Sequence, residues 1–412
     1  MKNYLLAIAF VLAANIVSAQ QADQHCQAHE HLQNQLADPQ QRLIYEQTQQ
    51  RMNEWLLLHP EGNTTRTTEY IPVIFHVVYT NAAGNVPVQR LYEQIQILNE
   101  DFGGYNADYT NTPGVWQPIS GNTDIQFCLA QIDPQGNWTP GYEYIQTTSS
   151  PCQNSILFAA APGWNPNDYL NIWVAQCNNG LLGYASFPGS ASATEDGVVI
   201  MHNFIGKTGA QAPYNLGRTG THEVGHWLDL YHISGDDGNN CTGDDQVADT
   251  PLQTDQTYGY NAPNIVITDA CSPAAPGVMW MNYMNYCDDT SMYMFTMGQK
   301  ARMWAALNGP RSGILSSTKC VPTSVHNYTD RVQPAVFPNP TAGMLTIEVP
   351  AGFGAIQQIT IVSVTGTNVM QIAQPAIREN RLELNISQLS EGIYFVELYT
   401  ATGRNVSKVV RN

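Results

Sequence analysis

The pattern of apolar and polar positions gives the first three quarters of the chain a mixed character. Residues 71–79 (IPVIFHVVY) are almost continuously apolar, as is typical of a buried strand. Residues 91–102 repeat apolar positions at helical spacing. Further strands are predicted at residues 124–132, 169–175 and 197–204. The mixture predicts an α+β domain whose twisted sheet precedes a loop-rich half.

The last part of the chain has a different pattern of apolar and polar residues. Residues 336–412 contain short runs in which apolar and polar residues alternate, and turn residues such as Pro340, Gly343 and Gly366 separate them. The runs lie at residues 344–349, 356–363, 381–386, 393–400 and 405–410. This pattern predicts a small all-β sandwich, joined to the first part by a linker at residues 323–335.

The N-terminal residues predict processing rather than a folded core. Residues 1–19 have a positive start, an apolar stretch and small residues before a cleavage site after Ala19, which indicates a secretory signal peptide. No later stretch is long and apolar enough for an integral membrane segment. Residues 20–66 contain a helical signal, with Asp38 as a cap and Pro39 at the first helical position. They predict either an ordinary helical subdomain or, from their position, a pro-segment that is cleaved near Arg66.

Composition narrows the class of partners. The chain has 412 residues, with 34 acidic and 17 basic side chains and a formal net charge of −17. This charge argues against nucleic acid or an anionic membrane as a partner. Only 12% of the residues are charged, which suits an extracellular protein.

Eight cysteines in an exported chain favour disulfides. Seven of them follow Cys26, so either Cys26 forms a disulfide or at least one thiol is free. Spacing does not fix the connectivity. Cys241 and Cys271 flank a predicted loop and are the favoured pair.

Candidate metal chemistry lies at residues 222–232, which read HEVGHWLDLYH. His222 and His226 are four residues apart and share one helix face, so both can reach one metal ion. Glu223 lies beside them and can polarise a water molecule at the metal, and His232 can complete a three-histidine zinc site with one open position. The plainer alternative is a helix with two solvated or buried histidines. The added His232 makes that alternative weak.

The extended motif resembles that of the metzincins. These enzymes also carry a methionine beneath the metal, and Met284 in the sequence NYMNY matches it. They usually have glycine where this chain has Asp229. That position turns the chain with a positive φ, which aspartate tolerates better than most residues. Asp229 as an alternative metal ligand is less favoured than His232.

Four segments resemble the pappalysin family of metzincins, especially its small bacterial members. The segments are residues 221–232, 241–251, 282–289 and 295–303, within a resemblance that covers about residues 67–322. The resemblance implies a metzincin catalytic domain with zinc on His222, His226 and His232. It also implies that Glu223 is the general base and that Tyr286 stabilises the reaction intermediate.

The same resemblance implies two further sites. Asp245 and Thr250 match part of a calcium-binding loop, for which a solvated acidic loop is the alternative. Asp289 matches an acidic residue that favours arginine or lysine after the scissile bond. Cys287 departs from the family's usual cysteine placement. The resemblance therefore does not fix the geometry of the pocket around Asp289.

Cys26 suggests a latency function. A pro-segment thiolate could occupy the open zinc position until it is cleaved away, since zinc accepts sulfur ligands well. The alternatives are a disulfide, which the odd cysteine count slightly favours, or an idle thiol.

The C-terminal part resembles the sorting domain of the type IX secretion system. The matching segments are residues 337–341 (FPNPT), 389–394 (LSEGIY) and 408–410 (KVV). The resemblance implies the secretion machinery as a partner, export through the periplasm and outer membrane, and then removal or attachment to the cell surface. A carbohydrate- or substrate-binding sandwich is the alternative.

Together these features predict a secreted zinc endopeptidase made as a preproenzyme and acting on proteins or peptides. The main rival is a non-catalytic surface adhesin in which zinc is structural. A zinc hydrolase that acts on other bonds is a third possibility.

Overall fold

The computed structural model describes most of the chain after the predicted signal peptide. The described residues are 26–59, 68–177, 180–236, 240–320, 334–350, 355–363, 367–373, 375–378, 380–400 and 403–412. The predicted signal peptide, the cleavage region around Arg66 and nearly all of the predicted linker lie outside them. The chain divides into two compact units near residue 321.

Two helices precede the sheet of the first unit. Helix α1 spans Ala28–Gln35 and α2 spans Pro39–Leu58. Asp38 caps α2 by accepting a hydrogen bond from the backbone N–H of Gln40, as predicted. Met52 of α2 packs against Ala305 and Ala306, so the helix is anchored on the rest of the first unit.

The first unit is built on one six-stranded sheet. Its strands are β1 Glu69–Tyr79, β2 Ile125–Leu129, β3 Tyr142–Gln146, β4 Leu170–Ala175, β5 Gly183–Ala185 and β6 Gly197–Met201. The order is β2-β1-β4-β6-β5, and β3 also pairs with β1. All pairs are parallel except β5 with β6. The predicted strands at 71–79, 124–132, 169–175 and 197–204 are confirmed, whereas β3 and β5 were not predicted.

Helices cover the sheet and explain why its central strands are so apolar. They are α3 Val88–Gly103, α4 Asn154–Ala160, α5 Arg218–Trp227 and α6 Met297–Asn308. Helix α3 buries Leu91, Leu98 and Phe102 in the core, as its helical spacing predicted. Helix α5 packs beside β5 and β6. The short parallel pair β7 Tyr258–Gly259 and β8 Tyr286–Cys287 borders the following loops.

Three disulfide bonds cross-link the first unit: Cys128–Cys320, Cys152–Cys177 and Cys241–Cys271. The favoured pair, Cys241 with Cys271, is among them. Cys26 and Cys287 are both free thiols. The expectation that the odd count favours a disulfide at Cys26 was wrong, because a second thiol, Cys287, is buried without a sulfur partner.

The second unit is an antiparallel β-sandwich, as predicted. Its strands are β9 Ala335–Phe337, β10 Met344–Glu348, β11 Ile356–Ser363, β12 Asn368–Ala373, β13 Arg381–Asn385, β14 Gly392–Thr400 and β15 Gly403–Arg411. They form sheets of order β13-β10-β9 and β12-β11-β14-β15. Inward-facing residues such as Leu345, Ile361 and Val396 fill the space between them. In the part of the chain that the structure describes, no helix is long and apolar enough to cross a membrane.

Candidate metal centre

Helix α5 presents two of the predicted ligands on one face. His222 and His226 lie one turn apart, and their Nε2 atoms are 3.1 Å from each other. Gly225 between them leaves room for Met284, since a Cβ there would come within 2.5 Å of the Met284 sulfur. Met284 therefore lies directly against this helix and is fully buried. Its position against this helix is compatible with the predicted role as an apolar floor beneath a metal, which stays a prediction.

A left-handed residue ends the helix and redirects the chain. Asp229 has φ +75°, and the backbone N–H of Leu230 reaches back to the carbonyl of Gly225. The turn brings His232 to the other two histidines. Its Nε2 lies 3.2 Å from that of His222 and 3.0 Å from that of His226. Aspartate in place of glycine therefore does not displace His232.

The outer nitrogen of each histidine is committed to an oxygen acceptor. Nδ1 of His222 donates to the Tyr283 carbonyl at 2.7 Å, and Nδ1 of His226 donates to the Leu230 carbonyl at 2.7 Å. Nδ1 of His232 lies 2.9 Å from both carboxylate oxygens of Asp236. These acceptors place the ring proton on Nδ1 and turn the lone pair of each Nε2 inward. Asp236 was missed by sequence reasoning, although an acidic residue four positions after the third histidine is a usable signal.

The donor set fits zinc. Three buried imidazole nitrogens converge at about 3 Å from one another, which is the spacing that ligands of one tetrahedral ion require. Burial, followed by the neighbouring histidines, holds the pKa of His226 well below its usual value. The imidazole is therefore neutral, and neutral imidazole is the form that binds a metal.

Glu223 lies beside this cluster and is almost fully buried. It meets the edge strand β5 at Gly183, where an added Cβ would come within 2.9 Å of the Glu223 side chain. Burial raises the pKa of Glu223 well above its usual value. A carboxyl group with a raised pKa, next to a metal position, is suited to accepting and returning a proton.

Cys26 supplies a fourth donor. Its Sγ lies 3.4 Å from His226 Nε2 and 3.5 Å from a Glu223 oxygen. The four donor atoms of Cys26 and the three histidines all lie within 4.8 Å of one another. Residues 26–27 reach the centre along β5, where the N–H of Gln27 donates to the Gly183 carbonyl. Burial and the charge of Glu223 raise the pKa of the thiol well above its usual value.

Tyr286 closes the other side of the centre. Its hydroxyl lies 3.1 Å from His232 Nε2 and donates a hydrogen bond to the backbone carbonyl of Cys26 at 3.2 Å. The ring of Tyr286 also packs against those of His222 and His232. A phenol hydroxyl here can reach a carbonyl oxygen that approaches the metal.

A cavity next to the histidines holds the predicted specificity residue. His222, Glu223, Tyr286, Cys287 and Asp289 are among the residues that line it. Asp289 is 1% exposed, and its Oδ2 accepts hydrogen bonds from the backbone N–H groups of Leu216 at 2.7 Å and Arg218 at 3.3 Å. Burial raises the pKa of Asp289 to about 6.

The predicted calcium residues lie together but away from the histidine cluster. The Thr250 hydroxyl lies 2.8 and 2.9 Å from the two oxygens of Asp245. Asp245 is 3% exposed, and burial raises its pKa to about 7. Among the described residues, the one group of three or more His, Cys, Asp or Glu side chains placed to hold a metal is the cluster with Cys26.

Asp229 does not join the cluster. Its carboxylate is fully buried and forms an ion pair with Arg302 at 2.6 Å. The alternative in which Asp229 is a metal ligand therefore has no support in the geometry.

Comparisons with known proteins indicate the family of the chain. The model of the peptidase family described as pregnancy-associated plasma protein-A matches residues 153–308. A secretion system C-terminal sorting domain matches residues 335–412. An extracellular metalloprotease of Colletotrichum graminicola is 33% identical over 258 residues, which is 60% of this chain and 80% of that protein. One from Verticillium alfalfae is 34% identical over 254 residues, covering 59% and 77%.

Solved structures extend the likeness to three dimensions. Mature mirolysin of Tannerella forsythia, in complex with a cleaved peptide, is 43% identical, with a TM-score of 0.58, over 61% of this chain and 96% of that one. A promirolysin mutant from the same organism is 38% identical, with a TM-score of 0.62, over 72% and 97%. The protein is therefore a secreted metalloprotease of the pregnancy-associated plasma protein-A family, the pappalysin-type metzincins, with a type IX sorting domain at its C-terminal end.

Proposed function

We propose that the chain is the latent form of a zinc endopeptidase whose ligands are His222, His226 and His232. The convergence of three inward-facing Nε2 atoms, each fixed from behind by an oxygen acceptor, carries this proposal. The test is whether the mature chain cleaves a peptide library. A chelator should stop the cleavage, and added zinc should restore it.

The chemistry needs a base, and Glu223 is placed for it. When bound, zinc lowers the pKa of water and polarises the scissile carbonyl. Glu223 takes the proton of the attacking water and delivers it to the leaving amine. Burial raises the pKa of Glu223 above its usual value, which favours the carboxyl group as an acceptor of the proton that it then passes on.

Tyr286 is the proposed oxyanion stabiliser. Its hydroxyl donates to the Cys26 carbonyl, a peptide carbonyl that stands beside the histidines much as a substrate carbonyl would. A hydrogen bond to the oxygen of the scissile bond strengthens as negative charge develops there.

Cys26 is the proposed latency residue. Its sulfur lies against His226 and Glu223, where a substrate and its attacking water must otherwise fit. The name promirolysin denotes a pro-form in a protein that matches 72% of this chain. The predicted pro-segment therefore inhibits by occupying the centre, and its removal opens the site.

Asp236 is expected to tune the metal through His232. Replacing Asp236 by asparagine removes the charge that polarises the imidazole but keeps an acceptor of similar size. Zinc affinity should fall by about 10- to 100-fold, as is usual when an outer partner of a metal-bound histidine is lost. Competition with a chelating dye measures it, with Asp244→Asn in the same loop as the control. Equal zinc affinities in the two variants would show that Asp236 does not tune the metal through His232.

Asp289 is expected to select arginine or lysine after the scissile bond. Both of its backbone hydrogen bonds end on Oδ2, which leaves Oδ1 as the atom to meet a substrate cation. Asp289→Asn should lower the ratio of kcat/KM for Arg over Leu peptides by on the order of a hundredfold. The ratio in the unaltered enzyme should also fall as the pH drops below about 6, where the carboxylate gains a proton.

Asp288 provides the matched control for this test. It is the neighbouring carboxylate but does not line the cavity. Asp288→Asn should leave the Arg preference intact. A mature enzyme that cuts before Leu as readily as before Arg, at pH 8, would overturn the role of Asp289.

The calcium site at Asp245 and Thr250 remains a proposal. A nearby cation would stabilise the Asp245 carboxylate, whose burial otherwise raises its pKa to about 7. A calcium-dependent rise in the unfolding temperature would support it.

The adhesin alternative would require a permanently closed site. Asp229 was the first candidate for distorting the centre, but it pairs with Arg302 instead. Cys26 closes the centre in the latent chain, so the adhesin alternative would need the pro-segment to stay in place. The sorting domain supports the secretion machinery as a partner, and attachment to the cell surface is proposed as one fate of the exported chain.

A further inference from the structure

A buried ion pair fixes the turn that precedes the third histidine. Arg302, from helix α6, lies 2.6 Å from the Asp229 carboxylate and also donates through Nε to the Asp229 backbone carbonyl at 2.8 Å. Both side chains are at most 2% exposed. One guanidinium therefore holds the side chain and the main chain of the same left-handed residue. These contacts offset the cost that a left-handed conformation imposes on a residue other than glycine.

The turn at Asp229 connects two of the proposed zinc ligands. His226 donates to the Leu230 carbonyl, one residue after Asp229, and His232 follows two residues later. The Arg302 guanidinium also lies over the ring of Tyr231 at 5.0 Å. A shift of Asp229 must therefore move the backbone that orients both His226 and His232.

The pro-segment helix α2 completes this ion pair with a single side chain. The Gln49 amide donates from Nε2 to Asp229 Oδ1 at 2.6 Å and accepts at Oε1 from Arg302 Nη2 at 3.2 Å. The donor meets the anion and the acceptor meets the cation, so one neutral amide matches both charges. One turn earlier, the hydroxyls of Tyr45 and Tyr231 are 2.5 Å apart.

We propose that the Asp229–Arg302 pair is a second docking point for the pro-segment, separate from Cys26, and that Gln49 binding there stabilises the turn holding the zinc ligands. This inference rests on the proposed function, because it assigns a regulatory contact to that same centre. Gln49 is 23 positions after Cys26, so the pro-segment holds the metal loop at two independent places. When the pro-segment leaves, water reaches the pair and weakens its attraction.

The test measures how fast zinc leaves the latent chain. The full-length chain carries Glu223→Ala to prevent self-processing, is loaded with zinc, and is mixed with an excess of chelating dye. Gln49→Met, which keeps the length but removes both hydrogen bonds, should speed zinc loss by about tenfold, since a hydrogen bond to a charged group is commonly worth that factor or more. Gln50→Met is the matched control, because Gln50 is exposed on the same helix and bonds to Glu54.

A second pair of chains tests whether Gln49 acts through Asp229. In an Asp229→Gly background the pair is gone and the turn is free of strain, so adding Gln49→Met should change the rate less than twofold. Equal rates for Gln49→Met and Gln50→Met would overturn the proposal, as would a full tenfold effect in the Asp229→Gly background. Cys26→Ser, measured in parallel, reports on thiol latency alone. A chain that takes up no zinc refutes the proposed centre itself.

Discussion

Replacing Glu223 by alanine is expected to leave zinc bound and to lower the peptidase activity of the mature chain by roughly 10²- to 10⁴-fold. The three Nε2 ligands do not depend on the carboxylate, because their outer nitrogens are held by Tyr283, Leu230 and Asp236. The loss corresponds to removal of a positioned general base. Zinc content by elemental analysis and kcat/KM on one peptide measure the two halves of the prediction.

A matched control separates this effect from a general loss of acidic charge. Glu195 is an exposed glutamate that does not line the cavity next to His222. Glu195→Ala should keep both zinc and activity. Turnover near the unaltered rate in a zinc-loaded Glu223→Ala enzyme would show that another group takes the proton.

Replacing Cys26 by serine is expected to activate the unprocessed chain. Among the four converging donors, the thiol is the one that belongs to the proposed pro-segment, and serine removes the sulfur while preserving size and backbone. Activity of the uncleaved chain should rise by on the order of a hundredfold, which requires the sulfur to contribute only about 2.7 kcal/mol. The assay uses a short peptide and follows chain length by electrophoresis, so that processing is scored separately.

Cys287 supplies the comparison for that experiment. It is the second free thiol, but its sulfur lies 3.4 Å from the Thr257 carbonyl oxygen and 3.2 Å from that of Trp280, so its one S–H can donate to either, and it is not among the donors that converge with the histidines. Cys287→Ser should therefore not raise the activity of the uncleaved chain. If Cys26→Ser is as inactive as the unaltered precursor, the pro-segment inhibits by some means other than its thiol.

The sequence was most informative where one local signal decides the structure. The strand β1 and the helix α2 could be predicted because an apolar run and an Asp-Pro cap each act over a few neighbouring residues. The positive φ of Asp229 could be anticipated in the same way, from the turn that the motif needs. The spacing of the three histidines likewise placed them correctly, since one helix and one turn connect them.

Contacts between distant parts of the chain could not be predicted. The partner of Asp229 is 73 residues away in Arg302, and Gln49 is 180 residues away. Strand β5 has only three residues and no apolar run that would predict a strand. It forms by antiparallel pairing with β6, a contact that the local sequence does not reveal. The pairing of Cys128 with Cys320 spans 192 positions, and nothing in the spacing selects it.

The most direct test of the central claim is to profile cleavage of a peptide library by the mature chain, with a chelator and after zinc is returned. We expect cleavage that the chelator stops, that zinc restores, and that is enriched before Arg and Lys. A mature chain that holds zinc, has shed Cys26 and still cuts no peptide would contradict it and favour a structural role for the metal.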